Sequence, residues 1–226
     1  MNRFVQALIL VSLLPLQAAA QSPSANDQSL PVWNEMRGEK LIALQARGDA
    51  IRGEISFEPC QGCHRRDASG RTSGAYPRLA GQHGTVLIKQ MTDIRAGRRD
   101  NPKMEPFIGD HVLTPTEIAD VAAYVSNLPV PKEIGQGPGT GIERGKDLFT
   151  KDCATCHGER GEGKGEKFYP MVAAQHYRYL LREVKFIRDG DRRNSNPDMV
   201  KVIGQYSDQD LEAVADFMAQ LAAPKK

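Results

Sequence analysis

The chain has 226 residues, of which 40% are hydrophobic and 26% are charged. Its 30 basic and 28 acidic side chains give a formal net charge of +2, and neither half carries the basic excess that binding to nucleic-acid phosphates requires. This composition excludes nucleic acid as a partner. The length suits one large domain or two small ones.

The amino terminus has the layout of an export signal. Arg3 supplies positive charge, residues 4–16 are largely apolar, and three alanines precede Gln21, as small residues precede a signal-peptidase site. The apolar run is interrupted by Pro15 and is shorter than the roughly 20 residues of a transmembrane helix. We therefore expect a signal peptide over residues 1–20, a mature chain from Gln21 and a location in the periplasm.

The next stretch, residues 21–57, is longer than a single leading helix needs. It contains the only tryptophan, Trp33, and residues 35–48 place apolar side chains on one face of a helix. This pattern predicts an amphipathic helix that lies over the first domain or meets a partner.

All four cysteines belong to two Cys-x-x-Cys-His motifs, formed by Cys60, Cys63 and His64 and by Cys153, Cys156 and His157. Two thiols at this spacing can add to the two vinyl groups of one porphyrin, and the following histidine then binds the iron. A zinc site, a redox dithiol or disulfides are the alternatives. They leave the repeated histidine unexplained, and paired zinc motifs lie closer together. The motifs therefore predict two covalently bound haem c groups.

The rest of the sequence repeats with an offset of 93 residues. Tyr76-Pro77 corresponds to Tyr169-Pro170, and Gln82-His83 to Gln175-His176. Apolar spacing predicts a helix over residues 83–96 that ends at Gly97, and a counterpart that ends at Gly190. A third helix in each half begins with a capping pattern, at Thr114 and at Ser207. No segment alternates like a strand, so we predict an all-α fold of two tandem domains.

The repeat indicates a candidate for the second axial ligand of each iron. Met104 and Met199 each follow an Asn-Pro turn about 40 residues after a motif histidine, and we expect both in loops. A thioether raises the reduction potential relative to harder ligands. His83 and His176 are competing candidates, although helix capping or a bond to a nearby polar group is the favoured interpretation for them. The remaining methionines considered are interpreted as core residues: Met36, Met91, Met171 and Met218.

These residues and motifs together resemble the dihaem cytochromes of the c4 type, which are built from two class I cytochrome c domains. The resemblance covers nearly the whole chain from Cys60 onward. It implies His64 and Met104 on the first iron, and His157 and Met199 on the second. It also implies that the carbonyls of Pro77 and Pro170 accept hydrogen bonds from the two motif histidines. Arg65 departs from the pattern, because it stands where glycine usually follows the haem histidine.

The resemblance further implies a periplasmic electron carrier, of a kind often loosely associated with the membrane. Such carriers pass electrons from quinol-oxidising complexes or soluble donors to terminal oxidases or other acceptors. No catalytic residue is predicted. A peroxidase-like dihaem enzyme and a cytochrome subunit of a larger dehydrogenase or oxidase complex are the alternative functions.

The predicted domain organisation follows from the repeat and from a Pro/Gly-rich stretch at residues 129–139. We predict an N-terminal haem domain with its helical extension over residues 21–129, a linker over 130–141 and a C-terminal haem domain over 142–226. Three arginine pairs are candidates for contacts with haem propionates or partners, or are solvated loop residues: Arg65-Arg66, Arg98-Arg99 and Arg192-Arg193.

Overall fold

A computed structural model describes residues 33–224. Its regular structure is helical, and the only β-pairing in that range is an isolated bridge between Lys164 and Tyr169. The all-α prediction is therefore confirmed. The predicted signal peptide lies outside the described residues. None of the helices between residues 33 and 224 is long and apolar enough to cross a membrane.

Eleven α-helices follow one another within residues 33–224. In the first half they are α1 (Gly38–Gln45), α2 (Ala50–Ser56), α3 (Gln61–His64), α4 (Gly84–Arg95), α5 (Glu105–Ile108) and α6 (Pro115–Asn127). In the second half they are α7 (Ile142–Leu148), α8 (Ala154–His157), α9 (Tyr177–Asp189), α10 (Pro197–Ile203) and α11 (Asp208–Gln220).

The predicted helix signals act at the expected positions. Thr114 and Ser207 form capping boxes with the third residues of α6 and α11, so backbone N–H groups at both helix starts are satisfied. Helix α4 is followed by Gly97 and α9 by Gly190, both at positive φ. Glycine adopts this conformation without steric cost, and it ends both helices.

Each half builds its own core around the last helix of the half. In the first half α6 packs against α2 and α4, and in the second α11 packs against α7 and α9. A glycine lies at each closest crossing: a Cβ on Gly53 would overlap the carbonyl oxygen of Asp120, and one on Gly145 that of Ala213. A five-residue π-helical turn, Phe149–Cys153, follows α7. The second half has one more residue between Gly145 and Cys153 than the first half has between Gly53 and Cys60, and the wider π-helical turn accommodates it.

Three of the four methionines assigned to the core are buried: Met91, Met171 and Met218. The assignment of Met36 is wrong, since 46% of it is exposed. Met36 precedes α1 in an irregular stretch, where no second element covers it.

From residue 33 onward, the N-terminal extension packs α1 against α4 and α6 of the first half, which is one of the two predicted placements, but its helix is shorter than residues 35–48. Helix α1 begins at Gly38 and ends at Gln45, where Ala46 turns to an extended conformation with φ −67° and ψ 139°; beyond it, Gly48 lies close to the backbone of Ala119 in α6. Ion pairs join the extension to α4 and the residues after it, from Glu39 to Arg95 and from Glu35 to Arg98. The sequence analysis missed α2, which leads into the first haem motif.

The two halves meet through a reciprocal set of hydrogen bonds. The side chain of Gln82 bonds both the backbone N–H and the carbonyl of Met171, and Gln175 does the same with Arg78. Residues 78 and 171 are equivalent in the repeat, as are 82 and 175. The interface therefore has pseudo-twofold symmetry, and in it a glutamine side chain of each half hydrogen-bonds to the backbone of the other.

Candidate haem sites

Each Cys-x-x-Cys-His motif ends in a one-turn helix that places its histidine inward. His64 ends α3 and His157 ends α8, and they are only 7% and 8% exposed. The four thiols are not joined to one another. No cluster of at least three His, Cys, Asp or Glu side chains suited to a metal ion occurs between residues 33 and 224, so the zinc alternative finds no support.

Burial sets the protonation of the motif side chains. Desolvation lowers the pKa of His64 and His157, partly offset by their carbonyl partners, which keeps both imidazoles neutral and able to bind a metal. Desolvation likewise raises the pKa of Cys60 to about 11 and that of Cys153 to about 12. These cysteines are therefore protonated thiols before any covalent modification.

The imidazoles are oriented by the prolines that follow them. The Nδ1 atom of His64 lies 3.3 Å from the carbonyl oxygen of Pro77, and that of His157 lies 2.9 Å from the carbonyl oxygen of Pro170. A ring that donates Nδ1–H to a carbonyl has its Nε2 lone pair free for a metal. Both Nε2 atoms are thus available as iron ligands.

Met104 and Met199 are half-buried and pack against the cores of their own halves. Met104 immediately precedes α5, in the expected turn. Met199 was expected in a loop, which is wrong: the side chain of Asn196 caps α10, Pro197 opens it, and Met199 lies in its first turn. Proline is favoured at this first helical position, so the Asn-Pro pair starts a helix here.

A single cavity of about 640 Å³ connects these groups. Its wall includes both cysteine pairs, both motif histidines, Met104 and Met199, and most of the rest is apolar. Thiols, a neutral imidazole and a thioether converging on apolar walls match the donor set and the surroundings that a haem requires. The chain's residues therefore fit two haems.

Basic side chains from both halves meet at the polar part of the cavity wall. Arg99 and Arg192 each bond Glu183, at 2.9 and 3.0 Å, and all three line the cavity. Burial opposes ionisation of Glu183, but the two guanidinium groups lower its pKa. Arg182 lies 3.5 Å from the same carboxylate, so positive charge is in excess here, which suits an anionic group such as a haem propionate.

The other arginines of the predicted pairs have different roles. Arg98 bonds Asp93 and Glu35, and Arg193 donates to the carbonyl of Gly97. Arg65 and Arg66 are exposed. The sequence analysis gave all three pairs the same candidate roles. In the structure one arginine of two pairs lines the cavity, Arg193 contacts the opposite half, Arg98 holds the N-terminal extension, and the first pair lies on the surface.

His83 and His176 have polar partners across the interface, as the favoured interpretation predicted. The Nε2 of His83 lies 2.8 Å from the carbonyl of Glu162, and that of His176 lies 2.8 Å from the carbonyl of Ser69. Residues 69 and 162 are equivalent in the repeat, so these bonds extend the pseudo-twofold set. His176 also accepts a hydrogen bond from the N–H of Gly135 at its Nδ1.

Sequence reasoning missed two buried lysines. Lys40 of α1 and Lys89 of α4 are 1% and 0% exposed, and both pair with Asp93. Lys89 also lies 4.8 Å from the ring centroid of Trp33, which stacks on Tyr169 of the second half. Apolar spacing treats a lysine as a surface residue, so no sequence signal marked these two.

Comparison with known proteins agrees with this architecture. The cytochrome c family matches residues 50–129 and again residues 142–222. A crystal structure of reduced recombinant cytochrome c4 from Pseudomonas stutzeri superimposes with a TM-score of 0.70 at 27% identity, covering 78% of this chain and 100% of the other.

Curated relatives are of the same kind. The chain is 34% identical over 198 residues to a thiosulfate dehydrogenase electron acceptor from Stutzerimonas stutzeri, covering 80% of this chain and 90% of the relative. It is 30% identical over 196 residues to cytochrome c4 from Azotobacter vinelandii, covering 78% and 90%.

The repeated helical fold and the two haem-fitting motifs define an electron-transfer protein with one haem in each half. The chain belongs to the cytochrome c family. Within that family it is a dihaem protein of the cytochrome c4 type, with two covalently bound haem c groups attached at the two cysteine pairs.

Proposed function

We propose that this protein is an exported electron carrier that accepts electrons from a thiosulfate dehydrogenase and delivers them to a terminal oxidase. The similarity to a thiosulfate dehydrogenase electron acceptor supports the donor. The resemblance to cytochromes c4 supports the acceptor, and the pattern of residues 1–20 supports export to the periplasm. The observation that carries the proposal is one cavity lined by two complete sets of haem-binding side chains.

In this proposal His64 and Met104 bind the first iron, and His157 and Met199 bind the second. The haems supply one-electron redox chemistry when bound. The chain's own residues orient the imidazoles through Pro77 and Pro170, keep them neutral, and surround the sites with apolar side chains. If a histidine and a methionine held each iron, no ligand site would remain for oxygen or peroxide, which favours a carrier over a peroxidase.

The proposed domain boundaries follow the predicted organisation, with the first haem domain ending near residue 129 and the second beginning near 142. The extended residues between them lie against the second half: the carbonyl of Gly135 accepts a hydrogen bond from Tyr177, and the N–H of Gly139 donates to Asp216. These contacts support a linker that is held in place.

A direct test is to mix the oxidised, haem-loaded protein with a thiosulfate dehydrogenase and thiosulfate, and to follow haem reduction by absorption. We expect rapid reduction of two haems per chain, and none when either the enzyme or thiosulfate is omitted. Reduction by a quinol-oxidising complex but not by the dehydrogenase would contradict the proposed donor and retain the carrier. Rapid peroxide turnover with a reduced donor would contradict the carrier itself.

Co-purification distinguishes a free carrier from a fixed subunit. If the protein is a carrier that forms short-lived complexes, a salt wash of native membranes is expected to release it. Retention with a dehydrogenase or oxidase after the wash would instead show that it is a subunit.

A further inference from the structure

The largest fully buried side chain of the described residues belongs to Arg78, which is 1% exposed. Its guanidinium lies at the interface between the halves. It donates to the carbonyls of Ala174 at 2.7 Å, Ala173 at 3.0 Å and Ala80, and lies 3.6 Å from the sulfur of Met171. Within residues 33–224, every group that contacts the guanidinium is neutral.

Arg78 differs in this respect from the other buried cations. Lys40 and Lys89 share Asp93, whereas no carboxylate between residues 33 and 224 lies within ion-pair distance of the Arg78 guanidinium. Desolvation lowers its pKa to about 10, so the group is still charged at neutral pH. Removing a charge from water is costly, and within residues 33–224 the neutral carbonyls that bind the guanidinium offset part of this cost.

The position of Arg78 points to both haems. It follows Pro77, whose carbonyl faces His64, and its side chain touches Met171, which follows Pro170, whose carbonyl faces His157. Because residues 78 and 171 are equivalent in the repeat, their contact lies at the pseudo-twofold axis. Both residues line the haem cavity. The charge therefore stands between the two segments that orient the motif histidines.

A fixed cation acts on a haem through Coulomb's law. Reduction adds one negative charge to the iron, so a nearby positive charge stabilises the reduced form and raises the reduction potential. A buried charge acts through a medium of low dielectric constant and is little screened by salt. The carbonyls that hold the guanidinium fix its position but leave its net charge uncompensated.

We propose that the buried charge of Arg78 raises the reduction potentials of both haems together. This inference rests on the proposed carrier function only in requiring two redox-active haems. Both potentials can be measured without any partner, so a wrong donor or acceptor would leave the test unaffected.

The test is to measure both haem potentials in the haem-loaded wild type and in Arg78→Met, which makes the interface symmetric with Met171. We expect each haem to become harder to reduce, by about tenfold in the equilibrium constant, which is about 59 mV for a one-electron couple. Haem absorption spectra should be unchanged. Unchanged potentials, or a shift in one haem only, would overturn the proposal.

Gln175→Ala is the matched control, because it removes two interface hydrogen bonds to the Arg78 backbone without removing the charge. We expect a clearly smaller shift than in Arg78→Met. An equal shift would show that interface integrity, not charge, sets the potentials, and would overturn the proposal.

If Arg78→Met does not retain haem, Arg78→Lys tests whether the charge at this position sets the haem potentials. A buried lysine loses its proton more readily than an arginine, so the potentials of this variant should match wild type at neutral pH and fall below it as the pH rises. The wild type serves as the reference, because any pH dependence caused by His176 or the other titratable groups is present in both proteins. Superimposable pH profiles would overturn the proposal.

Discussion

Asp93 is the shared counter-charge of the two buried lysines of the first half. Its carboxylate lies 2.6 Å from the Nζ of Lys40, 2.5 Å from that of Lys89 and 3.1 Å from the Nε of Arg98. Burial opposes its ionisation, but the charge of Lys89 and the hydrogen bonds of Lys40 and Lys89 hold its pKa below the usual value. One anion thus supports two buried ammonium groups.

We predict that Asp93→Asn lowers the free energy of unfolding by about 3–5 kcal/mol, because it leaves Lys40 and Lys89 buried without a counter-charge. Denaturant unfolding of the haem-loaded protein measures this change. Asp110→Asn is the control, since the Asp110 side chain is 85% exposed and should change stability by less than about 0.5 kcal/mol. Equal stabilities of the two variants would contradict the role assigned to Asp93.

Arg65 is strained by the backbone it must adopt. It has φ 65° and ψ 163°, and Gly158, its equivalent, has φ 81° and ψ 155°. This region is open essentially to glycine alone and costs other residues about 1–3 kcal/mol.

We therefore predict that Arg65→Gly stabilises the first half by about 1 kcal/mol, after allowing for the greater freedom of glycine in the unfolded chain. Thermal unfolding measures the gain. Arg66→Gly is the control and should give no gain, because Arg66 does not adopt a positive φ. A loss of stability in Arg65→Gly would show that the side chain contributes more than its backbone strain removes.

At the level of elements, the long helices of each half were predictable because their signals are local. Capping residues, a terminal glycine and apolar spacing identified α4, α6, α9 and α11 within a few residues. Helix α2 and the true end of α1 were not predictable. Helix α2 and the segment after α1 lie close to α6 at Gly53 and Gly48, and such contacts between distant segments leave no periodic pattern.

His176, at the start of α9, links this element to pH. Desolvation is the main cause that lowers its pKa, with smaller contributions from the charges of Arg78 and Arg65, partly offset by its bond to Ser69. A histidine whose pKa is lower in the folded state binds fewer protons there than in the unfolded state. Stability is then lost as the pH falls below the unfolded value of about 6.5.

We predict that wild type loses stability between pH 7.5 and pH 5.5, and that His176→Gln loses less over the same interval. Melting temperatures of the haem-loaded proteins at the two pH values measure the difference. His111→Gln is the control, because His111 is a surface residue with a 79% exposed side chain and should leave the wild-type dependence in place. Identical losses in wild type and His176→Gln would contradict the assignment.

For the whole molecule, the duplication was visible in the sequence but the way its halves meet was not. The Gln-His pairs were noticed as repeats, yet nothing in one sequence shows that Gln82 and Gln175 bind the backbone of the opposite half. The haem motifs were predictable because covalent attachment demands a fixed spacing. The buried cations were not, because the burial of Arg78 and Lys89 depends on the assembled interface, and that of Lys40 on the packing of α1 against α4 and α6.

We propose that each haem iron is held by one histidine and one methionine, and the near-infrared methionine-to-iron charge-transfer band of the oxidised protein tests this assignment most directly. The band should be compared in wild type, Met104→Ala and Met199→Ala, with Met36→Leu as the exposed control. We predict that each alanine variant loses about half of the band and that Met36→Leu retains all of it. Full retention of the band in either alanine variant would contradict the ligand assignment for that haem.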